Sequence, residues 1–193
     1  MTTGVLSAFL PVNGLVLIET QTASSSATID FDSGIGSTYN SYILEGLGIK
    51  PATDDVELYL RVSQDAGSNW LAADYTGGVT GFELGGVQSA NASKANSAAA
   101  LLTLAGGNAS TFGVGNSTGE CASFRLHVAR PAASALFKLL TWESAWVAAS
   151  GTMYRGVGGG RYTANANAID GLRVLFESGN IAAGVFNLYG VKG

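Results

Sequence analysis

Val56-Glu57-Leu58-Tyr59-Leu60-Arg61-Val62-Ser63 alternates side-chain character at every second position over eight residues. Extended backbone sends successive side chains to opposite faces, whereas a helix would repeat near 3.6 residues. The stretch therefore predicts a strand that buries Val56, Leu58, Leu60 and Val62 on one face. Turn-forming residues follow directly, Gln64 to Asn69, and an apolar run resumes at Trp70 with Leu71-Ala72-Ala73-Asp74-Tyr75. Two such runs joined by a short turn predict a hairpin.

The same alternation recurs along the chain. Ala122, Phe124, Leu126 and Val128 alternate with Ser123, Arg125 and His127, and Leu172, Val174 and Phe176 repeat the pattern. Further strands are expected at Leu15–Thr20, Thr28–Phe31, Tyr39–Leu47, Leu101–Leu104, Phe137–Val147, Thr152–Tyr162 and Ile181–Val191. Gly occurs 27 times in 193 residues and Pro three times, a profile of many turns that need positive φ. Nine to eleven short strands read as an all-β fold, a β-sandwich or jelly-roll-like single domain. Residues 1–26 are expected as an N-terminal arm or first strand, and 27–193 as the sandwich. Residues 77–119, rich in Gly, Ala, Ser and Asn, resist the strand reading. They are expected as an insertion or an arm reaching a neighbour, with one helical turn at Ala95–Leu102.

Composition narrows the function. Only 12% of residues are charged while 47% are hydrophobic. Average globular usage is roughly a quarter charged, so part of this surface is expected to face protein instead of water. The net charge of −4 and the lack of a basic stripe argue against nucleic-acid binding. No window reaches the ~18 apolar residues of a membrane span. The apolar stretch from Val5 to Ile18 is broken by Pro11, Asn13 and Gly14 and has no preceding Lys or Arg, so no secretion signal is expected. The expectation is a soluble protein made in the cytoplasm.

Groups able to do chemistry are few. His127 is the only histidine and Cys121 the only cysteine, so no intrachain disulfide or thiolate cluster forms. Cys121 reads as a buried inert thiol, and His127 as an exposed or interface side chain. Asp30 and Asp32 share one strand face, and Asp54 and Asp55 precede a strand. Paired carboxylates are what glycoside hydrolysis requires, or a weak Ca²⁺ site with loop carbonyls, but turn aspartates ordinarily accept backbone N–H groups. Neither catalytic residues nor cofactors are expected. Gly156-Val157-Gly158-Gly159-Gly160 lacks the order of a phosphate loop and reads as a flexible turn between strands. Trp142 and Trp146, four apart, would put both rings on one strand face. They are candidates for glycan stacking or for an intersubunit contact.

Ser63-Gln64-Asp65-Ala66-Gly67-Ser68-Asn69-Trp70 fits S-x-D-x-G-x-x-W and so resembles the Asp-box of sialidases and related propellers. In those families the box is structural and recurs once per blade. Here it occurs once in a chain too short for a propeller, so Ser63, Asp65, Gly67 and Trp70 are expected to build a turn and not a sialidase.

Two stretches resemble small virion structural proteins of tailed phages. The first, residues 27–70, carries Ile29-Asp30-Phe31, then Ser37-Thr38-Tyr39 with Tyr42, then Pro51-Ala52-Thr53-Asp54 and the Asp-box-like turn. The second, residues 171–193, carries Ser178-Gly179-Asn180-Ile181 and then Phe186 with Leu188-Tyr189-Gly190. Together they cover about a third of the chain. The resemblance implies a non-enzymatic β-sandwich virion component assembled in the host cytoplasm: a homotrimer that decorates a capsid or builds a tail tip or fibre. Its partners would be further copies of itself and the major capsid or tail proteins. The alternative expectation is a carbohydrate-binding receptor-recognition module of a phage tail, using Trp142 and Trp146 on a host surface glycan. A third, a depolymerase acting through Asp30, would need two carboxylates facing one groove.

Overall fold

A computed structural model describes residues 14–84, 94–107 and 112–192. Among them the chain forms twelve strands. The first six are β1 (Gly14–Ser26), β2 (Ile29–Phe31), β3 (Ser41–Pro51), β4 (Leu58–Ser63), β5 (Tyr75–Leu84) and β6 (Lys94–Ala99). They are followed by β7 (Leu102–Ala105), β8 (Ala122–Ala129), β9 (Leu140–Val147), β10 (Met153–Tyr162), β11 (Gly171–Phe176) and β12 (Ile181–Lys192).

The strands form two antiparallel sheets packed against each other, a β-sandwich. The larger has eight strands in the order β1-β12-β3-β8-β9-β10-β5-β6, and the smaller four in the order β2-β11-β4-β7. Alternation decides which side chains fill the space between them. From the large sheet come Tyr42, Leu44, Phe124, Leu126, Trp142, Trp146, Phe186 and Leu188; from the small one come Phe31, Leu58, Leu60, Val62, Leu172 and Val174. These belong to one hydrophobic cluster. At roughly 1.5–3 kcal/mol per fully buried large side chain, this cluster is what holds the sheets together. Residues 27–70 and 171–193 are joined in it: β11 lies between β2 and β4, and β12 pairs with β3.

Several expectations are corrected. The segment after the Asp-box-like turn does not fold back on β4 as a hairpin partner; β4 pairs with β11 and β7. Only Leu71 N–H reaches back, to Val62 O at 3.0 Å, before the chain crosses to the large sheet as β5. The crossing is pinned by Tyr75, whose hydroxyl accepts from Val62 N–H at 2.9 Å and donates to Leu71 O at 3.0 Å. Burial raises the pKa of that phenol, which stays protonated and able to donate. The expected helical turn at Ala95–Leu102 is instead β6 and the start of β7. So within 77–119 the chain supplies strands to both sheets up to Ala105 and then a connection bridged at Val114 to Val56 and Ala148, while 85–93 and 108–111 lie outside the described residues. Of 1–26, β1 is the first strand at the edge of the large sheet, and 1–13 lie outside the described residues.

The glycine run is not a turn. Gly156 to Gly160 lie inside β10, between β9 and β5. Register explains them: Gly156, Gly158 and Gly160 sit opposite Ser144, Trp142 and Leu140. A Cβ at Gly158 would stand 2.2 Å from Trp142 Cε2, so the glycine makes room for the indole.

Candidate functional site on the outer sheet face

The outward positions of the large sheet should be polar if they faced only water. Many are not. Leu15 and Leu17 on β1, Val185 on β12, Leu47 on β3, Met153 and Val157 on β10, and Phe82 and Leu84 on β5 are all exposed. Leu17 is 55% exposed and Leu47 47%. Leu47, Leu84 and Met153 line a shallow groove of about 290 Å³ floored by Ser123 and Ala145. A second depression of about 350 Å³ lies beside it, bordered by His127, Thr141, Glu143 and Val157. Monomeric proteins rarely leave contiguous apolar patches beyond a few hundred Å².

Charges cross this face in a row. Glu45, Arg125 and Glu143 are neighbours in register on β3, β8 and β9. Arg125 Nε lies 3.6 Å from Glu45 Oε1, and Arg155 on β10 lies 3.1 Å from Glu143 Oε2. Each carboxylate on the face therefore sits against an arginine. No sequence motif marks this surface. Its signal was the apolar residues in the polar half of each alternation: Leu47, Phe82, Leu84, Met153 and Val157.

Trp142 and Trp146 do share a strand face, but it is the inner one. They are 2% and 1% exposed, so neither ring is available to a sugar or to a neighbouring subunit, which corrects the glycan and subunit-contact expectation. Trp146 stacks on Tyr154 with ring centroids 5.5 Å apart and donates from Nε1 to Phe112 O at 2.9 Å. Trp142 Nε1 is buried with no hydrogen-bond partner among the described residues.

Ser63, Asp65, Gly67 and Asn69 are linked in a turn. Ser63 Oγ accepts from Gly67 N–H at 2.9 Å and donates to Asp65 Oδ1 at 2.9 Å. Asp65 accepts from Asn69 through both its backbone N–H, at 2.8 Å, and its side chain, at 2.6 Å. Asn69 first, then Ser63, hold the Asp65 carboxyl below its ordinary range. Ala66 and Gly67 both take left-handed backbone, φ 52° and 77°. Trp70 packs beneath the Arg173 guanidinium, 4.4 Å from its ring centre.

Three of the four paired carboxylates accept hydrogen bonds. Asp30 accepts two hydrogen bonds from Arg173, at 2.7 and 2.6 Å, while Asp32 lies beyond β2 and is exposed. Asp54 and Asp55 accept from the backbone N–H groups of Asn116 and Gly113, both at 2.9 Å. These N–H groups lie far along the chain, so the pair ties 113–116 to the start of β4. His127 is exposed on the outer face, and Cys121 is half-buried, not fully buried as expected. Among the described residues no group of three or more His, Cys, Asp or Glu side chains is placed to hold a metal ion.

The polar half of the opening stretch is partly covered. Glu57 is buried, with Lys94 Nζ at 3.0 Å and Thr103 Oγ1 donating at 3.3 Å. Burial, then the charges of Glu57 and Glu177, raise the Tyr59 hydroxyl well above its ordinary range. Burial also raises Tyr154 and lowers Lys138, whose ammonium donates to the carbonyls of Leu136 and Ala166.

No family model, curated protein or solved structure matches this chain.

Proposed function

We propose that this chain is a non-enzymatic structural protein of a tailed-phage particle, an exterior component that works by packing against copies of itself and neighbouring virion proteins. The observation that carries the reading is the outer face of the large sheet. A sandwich whose core is already complete still exposes Leu47, Phe82, Leu84, Met153, Val157 and Val185 on one side. Apolar surface kept there has value when a protein neighbour covers it. The low charge content agrees with a chain selected for contacts with protein. The phage assignment draws its support from the resemblance in residues 27–70 and 171–193. Those stretches supply adjacent strands of the sandwich.

The glycan-module alternative has lost its aromatic platform, since both indoles are in the core. Depolymerisation through Asp30 would require a carboxylate that Arg173 already engages.

Imaging phage particles that encode a tagged version of the chain tests the proposal. The tag is expected at many symmetry-related positions on the particle exterior, on head or tail. Particles complete without it, or turnover of host polysaccharide by the purified protein, would overturn the reading.

A further inference from the structure

The outer face of the large sheet is patterned about its own midline. In the order β1-β12-β3-β8-β9-β10-β5-β6 the midline falls between β8 and β9. Those two strands carry Arg125 and Glu143, opposite in charge and directly in register. The next strands outward carry Glu45 on β3 and Arg155 on β10. By strand, charge thus runs minus, plus, minus, plus; exchanging the two halves reverses the central pair level for level, while Arg155 stands two residues from the position level with Glu45, which Val157 holds. Apolar residues flank the central pair on both sides. β3 carries Leu47 and β10 carries Met153 and Val157; β12 carries Val185, and β5 carries Phe82 and Leu84.

A face with an in-register pair of opposite charges at its midline and apolar residues on both flanks fits a second copy of itself in one orientation. The copy is turned over about an axis that runs along the strands between β8 and β9. β8 then lies over the other copy's β9, setting Arg125 against Glu143, and β3 lies over β10. Val185 meets Phe82, Leu47 meets the aliphatic stem of Arg155 beside Met153, and Glu45 lies over Val157 within diagonal reach of Arg155. An axis running across the strands would instead set Arg125 against Arg125 and Glu143 against Glu143, and like charges facing each other are strongly disfavoured.

Area agrees with this. Six strands spaced about 4.8 Å apart and roughly 25 Å long present about 700 Å² per copy, close to the ~800 Å² of a standard stable interface. Two such faces pack about 10 Å apart with their strands within about 30° of alignment, so side chains of each can enter the groove of the other.

We propose that two copies of this chain pair through the outer faces of their eight-stranded sheets, on a twofold axis along the strands between β8 and β9. The proposal rests on the reading of the chain as a self-packing structural protein. It names the contact and its symmetry, a twofold added to the threefold arrangement that the resemblance implies.

Charge reversal tests the geometry. Arg125→Glu gives a copy with two acidic residues at the centre of the face, and Glu143→Arg a copy with two basic ones. In sedimentation equilibrium each variant alone is expected to self-associate at least about tenfold more weakly than the unaltered chain, since like charges then meet. An equimolar mixture should recover pairing to within about threefold, as one-to-one heterodimers, because opposite charges meet again at both central positions. Leu47→Asp should abolish pairing while leaving the thermal unfolding transition cooperative. Circular dichroism on every variant confirms that the sandwich is folded.

Variants that associate as tightly as the unaltered chain would overturn the twofold contact and leave the structural-protein reading standing. So would a mixture no better than its components. An unaltered chain that stays monomeric at millimolar concentration would overturn the contact itself. The loss of the broader reading would show separately, in particles complete without the protein.

Discussion

The two faces of the eight-stranded sheet are built from the same strands and obey different rules. On the inner face shape decides: β9 presents Leu140, Trp142, Ser144 and Trp146, and β10 answers with Gly160, Gly158, Gly156 and Tyr154 at the paired positions. Each bulky side chain has a glycine or a stacked ring across from it. On the outer face the same two strands present Glu143, Arg155, Met153 and Val157, whose places are set by charge sign and apolarity. Packing against the small sheet accounts for the inner face completely. It does nothing to explain the outer one, whose apolar residues have no partner among the described residues of the sandwich.

The largest effect is expected on the inner face. Trp146→Ala removes a buried indole, its stack on Tyr154 and the hydrogen bond to Phe112 O. Large-to-small changes of this kind cost about 3–5 kcal/mol, so denaturant unfolding should show a strongly lowered midpoint. On the outer face, Val157→Thr should change the same midpoint by less than about 0.5 kcal/mol, as exposed substitutions usually do.

The glycine run gives the sharpest version of the comparison, because adjacent residues face opposite ways. A Cβ at Gly158 would meet Trp142 at 2.2 Å, but at Gly159 the nearest atom is Leu140 O at 3.6 Å, ordinary contact. Gly158→Ala should therefore cost roughly 1–3 kcal/mol through overpacking. Gly159→Ala should be neutral or stabilise by up to about 1 kcal/mol, through a less flexible unfolded chain. Thermal melts of the two variants side by side check the pair; equal losses would mean that β10 has a different register.

A smaller effect is expected on the outer face of the small sheet, where polarity is satisfied within the chain. Asp30 and Arg173 form a two-point ion pair with each side chain about a quarter exposed, 29% and 24%. Asp30→Asn should cost about 1 kcal/mol, and the difference should shrink as salt is added. Titrating stability against salt for both proteins measures this.

The legible part of the sequence was whatever follows from alternation within one strand. Val56–Ser63, Ala122–Val128 and Leu172–Phe176 all lie where strands, or in Val56 an isolated bridge, are found. Partnership between strands was not legible. The turn at Ser63–Trp70 has every mark of a hairpin, yet the chain after it joins the other sheet. There β5 pairs with β10 along its whole length, and Tyr75 anchors the crossing on the backbone of Val62 and Leu71, pairings that no local pattern announces. Gly156–Gly160 reads as a loop because a glycine's purpose depends on what stands opposite, here Trp142 and Leu140 from a neighbouring strand. The Trp142–Trp146 spacing correctly puts both rings on one face, but spacing alone does not say whether that face is inside. The outer-face surface has no local signature because its apolar members come from five strands far apart in sequence.

The last expected effect is the smallest and concerns pH. Asp65 is exposed yet ordered by Ser63 and Asn69, and these hydrogen bonds favour its charged form in the folded chain. Its carboxyl is therefore more acidic when folded than when unfolded. On acidification the unfolded chain takes up the proton first, so acid favours unfolding through this group. The stabilisation is complete above the ordinary carboxylate value near 3.8 and is lost as pH falls through the lower folded value. Asp65→Ala should melt below the unaltered protein at neutral pH, and the gap between them should narrow steadily as the buffer is taken below pH ~4. A gap that stays constant would mean that the turn is held by Ser63 and the Ala66–Gly67 backbone alone. The corner would then belong with the inner face, where geometry and not charge does the holding.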